Sequence, residues 1–199
     1  MPSLVPVPEI KAAVRQMFDR VADAPSEKFR FKVGQALARA VGYPVELLHS
    51  LPSCAFESFT GLAYLHPHLA LQPGDHVLDL GCGAGLDSLI ASRAVVPHGS
   101  VTGLDLSPAM IAKARAVAAS VGAPDVRFKQ AEAEAMPFAD GTFDAALVNG
   151  IFNLCPDKPA VARELCRVMK PGGRAVVAEI TFTTPLPARE LRTVDDWFR

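Results

Sequence analysis

An α/β fold, with a mainly parallel sheet packed between two layers of helices, is predicted for this chain by three observations. From Val77 onward, short β-rich runs alternate with helical stretches, the order that a parallel sheet with crossover helices requires. The runs are apolar at both alternating sets of positions, as strands covered on both faces must be. A glycine-rich turn joins the first run to the helix that follows it.

The strands are placed at HVLDLG (76–81), SVTGLDL (100–106), VRFKQAE (126–132), FDAALVNG (143–150) and GRAVVAEI (173–180). Between the second and third, Ser107 can cap a helix, Pro108 suits its first position and Gly122 follows its last turn, which bounds that helix at 108–121. Asp140-Gly141 supplies the turn before the fourth strand. Pro171-Gly172-Gly173 is expected to stop a helix over 158–169 before the fifth.

The N-terminal part reads differently. IKAAVRQMFDRVAD (10–23) sets Ile10, Val14, Met17, Phe18 and Val21 on one helical face, VGQALARAVG (33–42) repeats the pattern with a glycine stop, and YPVELLHSLP (43–52) adds a short third helix. Residues 1–70 are therefore expected to form a helical cap beside a domain over 71–199. The alternative is an extension that only covers apolar surface.

Composition removes several classes of partner. Half of the 199 residues are hydrophobic, 21% are charged and the net charge is −1 with no block of like charges, so nothing selects nucleic acid or an anionic membrane. The apolar runs break well short of the ~18 residues of a membrane span. MPSLVPVPEIKAA lacks the basic start and apolar stretch of a signal peptide. A cytoplasmic location is expected, with Cys54, Cys82, Cys155 and Cys166 as reduced thiols, since they show no CxxC spacing. His66 and His68 lack a third ligand at suitable spacing, and Pro67 between them favours an extended loop, so no metal is expected.

The chemistry concentrates at the ends of the strands. In HVLDLGCGAG (76–85), Gly81, Gly83 and Gly85 let the backbone bend and approach a ligand at the carboxyl end of the central strand, where open α/β sheets bind nucleotides. The spacing is GxGxG rather than the GxGxxG of a dinucleotide site, and Asp79 just before it would repel a pyrophosphate and attract an ammonium. Asp105, about twenty residues on, can accept both hydroxyls of a ribose; a turn or capping aspartate ahead of Ser107 is the other reading. Glu132 is placed to hold an adenine amino group, with Leu106, Met110 and Ala133 against its faces. Together these residues describe an adenosine-shaped site on one rim.

The run from HVLDLGCGAG through LDLSPAMIAKAR, QAEAEAMPF, FDAALVNG and the strand after MKPGG resembles the class I S-adenosylmethionine (SAM) dependent methyltransferases over roughly residues 56–185. Within them, VNGIFNLCPDKPAVARELCRVMKPGG (148–173) is similar to the arsenite methyltransferases, in which an NxxxNLxPDK segment follows the fourth strand. The resemblance implies a Rossmann-like three-layer sandwich with strand order 3-2-1-4-5, SAM as cofactor and a small-molecule methyl acceptor. It also implies that Asp79, Gly81, Gly83, Asp105, Leu106, Glu132, Ala133 and Asn149 contact the cofactor, with Asn149, Gly150 and Asn153 toward the acceptor. Glu57, Ser58 and Phe59, where a cap would meet the pocket, are substrate-side candidates and equally plausible packing residues.

The chain departs from that pattern where arsenite methyltransferases carry thiolates. The matching positions are Leu62, in SFTGLAY, and Gly150, so arsenite is expected to be a poor substrate. A shifted pair, Cys155 and Cys54, is the alternative to simple buried thiols. Two other readings stay open. A nicotinamide-dependent oxidoreductase is disfavoured by the GxGxG spacing and Asp79. A non-catalytic SAM-binding protein draws support from the about nineteen residues after Ile180, too few for the helix and two strands with which such domains usually continue, so the C-terminal strands are expected to be missing. The strand 173–180 would then stand at a sheet edge, and a homodimer, or a longer native chain from which this one is cut, is expected with the 181–199 tail, including Trp197 and Phe198, at the contact.

Overall fold

The computed structural model describes residues 5–181 together with Thr183, Thr193 and Trp197. Its sheet has five parallel strands, β1 (His76–Leu80), β2 (Ser100–Asp105), β3 (Val126–Gln130), β4 (Phe143–Asn149) and β5 (Met169–Ala178), in the expected order β3-β2-β1-β4-β5. Seven α-helices are seen among the described residues: α1 (Val7–Asp23), α2 (Gln35–Ala40), α3 (Val45–His49), α4 (His66–Leu69), α5 (Leu86–Val95), α6 (Pro108–Val121) and α7 (Lys158–Val168).

The alternation of side chains along the strands builds the three layers. Val77 of β1 and Leu147 of β4 point to one face, where α5 contributes Leu89 and Ile90 and α6 contributes Ala114 and Val117. Leu78, Leu80, Ala146 and Val148 point to the other, against Val161 and Leu165 of α7. Each valine, leucine or isoleucine among them contributes about 1.5–3 kcal/mol when taken out of water, which is why these strands tolerate almost no polar residues. Tyr43, Leu48, Leu51 and Phe56 from the N-terminal segment join the first cluster directly. α1 runs elsewhere: Ile10 and Val14 pack with Leu106 and Leu154 across the rim of the sheet.

Helix α6 occupies the span its punctuation predicts. Ser107 Oγ accepts from the Met110 N–H at 3.0 Å, and Gly122 closes the helix at φ +66°. Three elements differ from expectation. β5 starts at Met169 rather than 173, because the chain pairs with Phe143 as soon as α7 ends, and the register shift between Phe143 and Ala145 absorbs Pro171-Gly172-Gly173 as an irregularity inside the strand. Pro67 lies in the first turn of the short helix α4 instead of an extended loop, a position where its missing N–H costs nothing. Trp197 has an intramolecular seat: its Nε1–H donates to the Leu154 carbonyl at 3.3 Å, and it packs with Val5, Ile10 and Val14. The rest of the tail, including Phe198, on which the homodimer contact was expected, lies outside the described residues apart from Thr181, Thr183 and Thr193. No described helix is long and apolar enough to cross a membrane.

Ser107 also donates to Asp19 of α1 at 2.6 Å, so one hydroxyl both caps α6 and ties α1 to it. Ser107→Ala is expected to lower stability by about 1–2 kcal/mol, read as a lower denaturant midpoint with an unchanged m-value. An unchanged midpoint would show that neither bond contributes.

Candidate functional site

A cleft of about 790 Å3, counting space open to solvent, lies at the carboxyl ends of the strands. The ends of four strands contribute: Gly81 and Gly83 after β1, residues 105–107 at the end of β2, residues 131–134 after β3, and residues 149–151 and 154–156 at and after the end of β4. Met110, Thr60 and, from α1, Lys11, Val14, Arg15 and Phe18 complete the wall.

The turn after β1 is held by β2. The N–H groups of Gly81 and Cys82 both donate to the Leu104 carbonyl, at 2.8 and 3.0 Å. Gly81 has φ +78°, and a side-chain carbon there would lie 2.0 Å from Ile151 Cγ2, so only a bare backbone admits the bend and the Ile151 packing together. Asp105 reaches back to the same turn: Oδ2 accepts from the Gly83 N–H at 2.9 Å and Oδ1 from the Ser107 N–H at 2.9 Å. Burial pushes its carboxyl above the usual aspartate range, and the backbone donors offset only part of that rise.

At the β3 end of the cleft, Glu132 Oε2 binds Lys11 Nζ at 2.6 Å and Glu134 Oε1 lies 3.3 Å from the same ammonium. That Glu134 oxygen is buried and makes no hydrogen bond, so the ion pair is its compensation. Burial works to lower the Lys11 pKa, but the two glutamates outweigh it and raise it.

Beneath the turn lies a polar cluster. Asp79 is 2% exposed and accepts from Ser88 Oγ at 2.6 Å; burial, with the Asp87 charge beside it, pushes its carboxyl up to about 8. Asp87 accepts from Tyr43 Oη at 2.6 Å and Asn149 Nδ2 at 3.1 Å, and lies 3.0 Å from His66 Nε2. Asn149 Oδ1 in turn accepts from the Leu62 and Ala63 N–H groups at 2.8 and 3.3 Å, which ties the segment before α4 to the end of β4.

Of the residues singled out in the sequence, Gly81, Gly83, Asp105, Leu106, Met110, Glu132, Ala133, Asn149 and Gly150 are brought together in this cleft. Asp79 is buried below it. Glu57 instead pairs with Lys113 at 2.6 Å, and Ser58 donates to the Val21 carbonyl at 3.0 Å and accepts from Lys113. Phe59 packs edge-on against Tyr43, and Asn153 donates to Glu179 and the Ile180 carbonyl. These four lie outside the cleft wall. Sequence reasoning missed Lys11, Thr60 and Ile151 in the wall and the Tyr43–Asp87–His66 cluster below. Asp87 carried one signal, an acid in the first turn of the helix opened by the glycines.

The two positions lacking thiols face each other: a side-chain carbon on Gly150 would lie 3.1 Å from Leu62 Cγ. Cys155 lines the cleft, whereas Cys54 packs in the apolar cluster of Leu48 and Phe56. Burial pushes the Cys155 thiol up to about 12. Among the described residues no group of histidines, cysteines and acids could hold a metal ion.

Residues 71–199 match the family model described as a methyltransferase domain. The arsenite methyltransferase of Halobacterium salinarum is 41% identical over 118 residues, covering 59% of this chain and 30% of that protein. The demethylmenaquinone methyltransferase of Shouchella clausii is 38% identical over 114 residues, covering 57% of this chain and 48% of that one. Among solved structures, an arsenic(III) S-adenosylmethionine methyltransferase from Chlamydomonas reinhardtii superimposes with a TM-score of 0.53 at 34% identity, over 69% of this chain and 46% of that one. The chain thus spans less than half the length of these relatives.

At pH 7.5, iodoacetamide is expected to label exposed Cys166 well before Cys155 or Cys82, whose thiols burial keeps protonated. Peptide mass spectrometry over time checks this, and preferential labelling of Cys155 would reveal a thiolate in the cleft.

Proposed function

The chain belongs to the methyltransferase domain family, whose relatives here use SAM, and on that footing we propose that the protein transfers the methyl group of SAM to a small molecule entering the cleft beside Thr60 and Gly150. The observation that carries this reading is the convergence of a glycine turn, Asp105 and Glu132, from three successive strand ends, on one cleft. The residues fit an adenosyl group. Gly83 leaves open space, its nearest neighbour being Met110 Sδ at 4.0 Å from where a side chain would begin. Each Asp105 oxygen accepts one backbone N–H and keeps a lone pair for a ribose hydroxyl. Glu132 holds Lys11 through Oε2 and is half exposed, which leaves Oε1 for an amino group.

SAM supplies a methyl carbon on a cationic sulfur, open to in-line displacement. The chain's task is then to aim the acceptor and exclude water. Thr60, Ile151 and Leu154 form the wall on the acceptor side, and α1 covers the rim with Val14 and Phe18. With Leu62 against Gly150 and Cys155 protonated, the cleft offers trivalent arsenic no thiolate pair, so the reading favours an acceptor nucleophilic in its own right, such as a thiol or an amine. A cytoplasmic location belongs to the same proposal, as does self-association through the tail.

The test supplies methyl-labelled SAM and screens thiols, amines and arsenite. Label is expected in a carbon-bearing acceptor, with arsenite poor or inert. Asp105→Ala is expected to raise the SAM dissociation constant roughly ten- to hundred-fold, part of that through a loosened glycine turn. Strong arsenite methylation abolished by Cys155→Ser would overturn the acceptor reading, and an unchanged affinity in Asp105→Ala would remove the ribose contact.

A further inference from the structure

The two acids under the glycine turn are not equivalent. Asp79 is 2% and Asp87 6% exposed. Asp87 has two hydrogen-bond donors, Tyr43 and Asn149, with the His66 ring as a third neighbour. Asp79 is met by the donors of one residue, Ser88, through its hydroxyl at 2.6 Å and its backbone N–H. Facing Asp79 are Asp87 from α5, Asp105 from β2, Cys82 from the turn and Tyr43 from the N-terminal segment, while His66 reaches only Asp87. No lysine or arginine is seen paired with either acid among the described residues. A carboxylate taken out of water beside a second negative charge, with one residue's donors and no cation, is more stable as the neutral acid, because burial outweighs those donors.

We propose that the ligand-free protein holds one proton on Asp79, and that the ammonium of a methionyl-type ligand seated at Gly81 drives that proton out. The inference rests on the SAM reading above. The proton passes from the Asp79 carboxyl to buffer, the ligand keeps its own, and a bound cation replaces a bound proton beside the pair. Leu80, Gly81 and Asn149 line the cleft; the first two follow Asp79 in the chain and the Asn149 amide donates to Asp87, which connects both acids to the cleft wall. Methyl transfer itself leaves this exchange untouched, because the ammonium does not react.

The sign follows from linkage. A ligand that favours ionised Asp79 binds more tightly as pH rises, by up to about tenfold per unit, and the gain levels off above about pH 8. In the ligand-free protein the same group takes up a proton on folding. It therefore favours the folded state most below the ordinary aspartate range and loses that favour as pH climbs toward about 8.

Calorimetric titration of the intact chain with SAM, in two buffers of different ionisation enthalpy, counts the proton directly. The work is done at pH 6.5–7.0, below the range of about 7.7–8.0 where an α-amine titrates. Close to one proton released per SAM is expected for the wild type and close to none for Asp79→Asn. Thermal unfolding without ligand is the second arm: between pH 6 and 8.5 the wild type is expected to lose melting temperature that Asp79→Asn retains. SAM binding without proton release overturns the proposal and leaves the SAM reading standing. Absence of SAM binding defeats that reading, and matching pH profiles of wild type and variant would then show that Asp79 holds no proton. The wild-type proton count needs no variant, so it decides even if Asp79→Asn fails to fold.

Discussion

Everything on the rim depends on how the backbone turns after Leu80. The bend brings the Gly81 and Cys82 N–H groups to one carbonyl of β2, and the Gly83 N–H to the carboxylate that ends that strand. Two adjacent parallel strands are thereby locked at the point where both stop, and Ile151 packs directly on the bare backbone of Gly81, where no side chain could stand. Asp105 is consequently part of the frame as well as part of the wall. Its carboxylate is held by backbone donors before any ligand arrives, an arrangement that costs no reorganisation on binding.

The N-terminal segment takes part in that frame in two ways. Tyr43, Leu48, Leu51, Ala55 and Phe56 bury themselves in the same apolar cluster as β1 and α5. α1 instead lies over the strand ends, held by an ion pair from Lys11 to the glutamates after β3 and by the Ser107–Asp19 bond. Ion pairs at a partly solvated rim contribute little to stability, whereas the apolar face of Ile10 and Val14 supplies burial. The helix that closes the cleft is thus attached by contacts of unequal strength along its length.

Local signals carried much of this into the sequence. Ser107, Pro108 and Gly122 bounded α6 to the residue because capping is decided within a few positions, and the apolar strand runs placed all five strands. The start of β5 was not legible: Pro171-Gly172-Gly173 reads as a stop, and only the pairing with Phe143, distant in sequence, turns it into a strand irregularity. The cluster of Tyr43, His66, Asp87 and Asn149 was hidden for the same reason, since His66 and Asn149 stood out for other roles and the four become neighbours only after the chain has folded. Glu57, Ser58 and Phe59 sit at the right place in the chain, but Lys113 and Tyr43 engage them first.

The central claim is that this cleft takes the adenosyl group of SAM rather than a dinucleotide. Parallel equilibrium titrations of the purified chain with SAM and with NAD address it most directly. Saturable binding of one SAM per chain with no measurable binding of NAD is the predicted result. Saturable binding of NAD with none of SAM would contradict it.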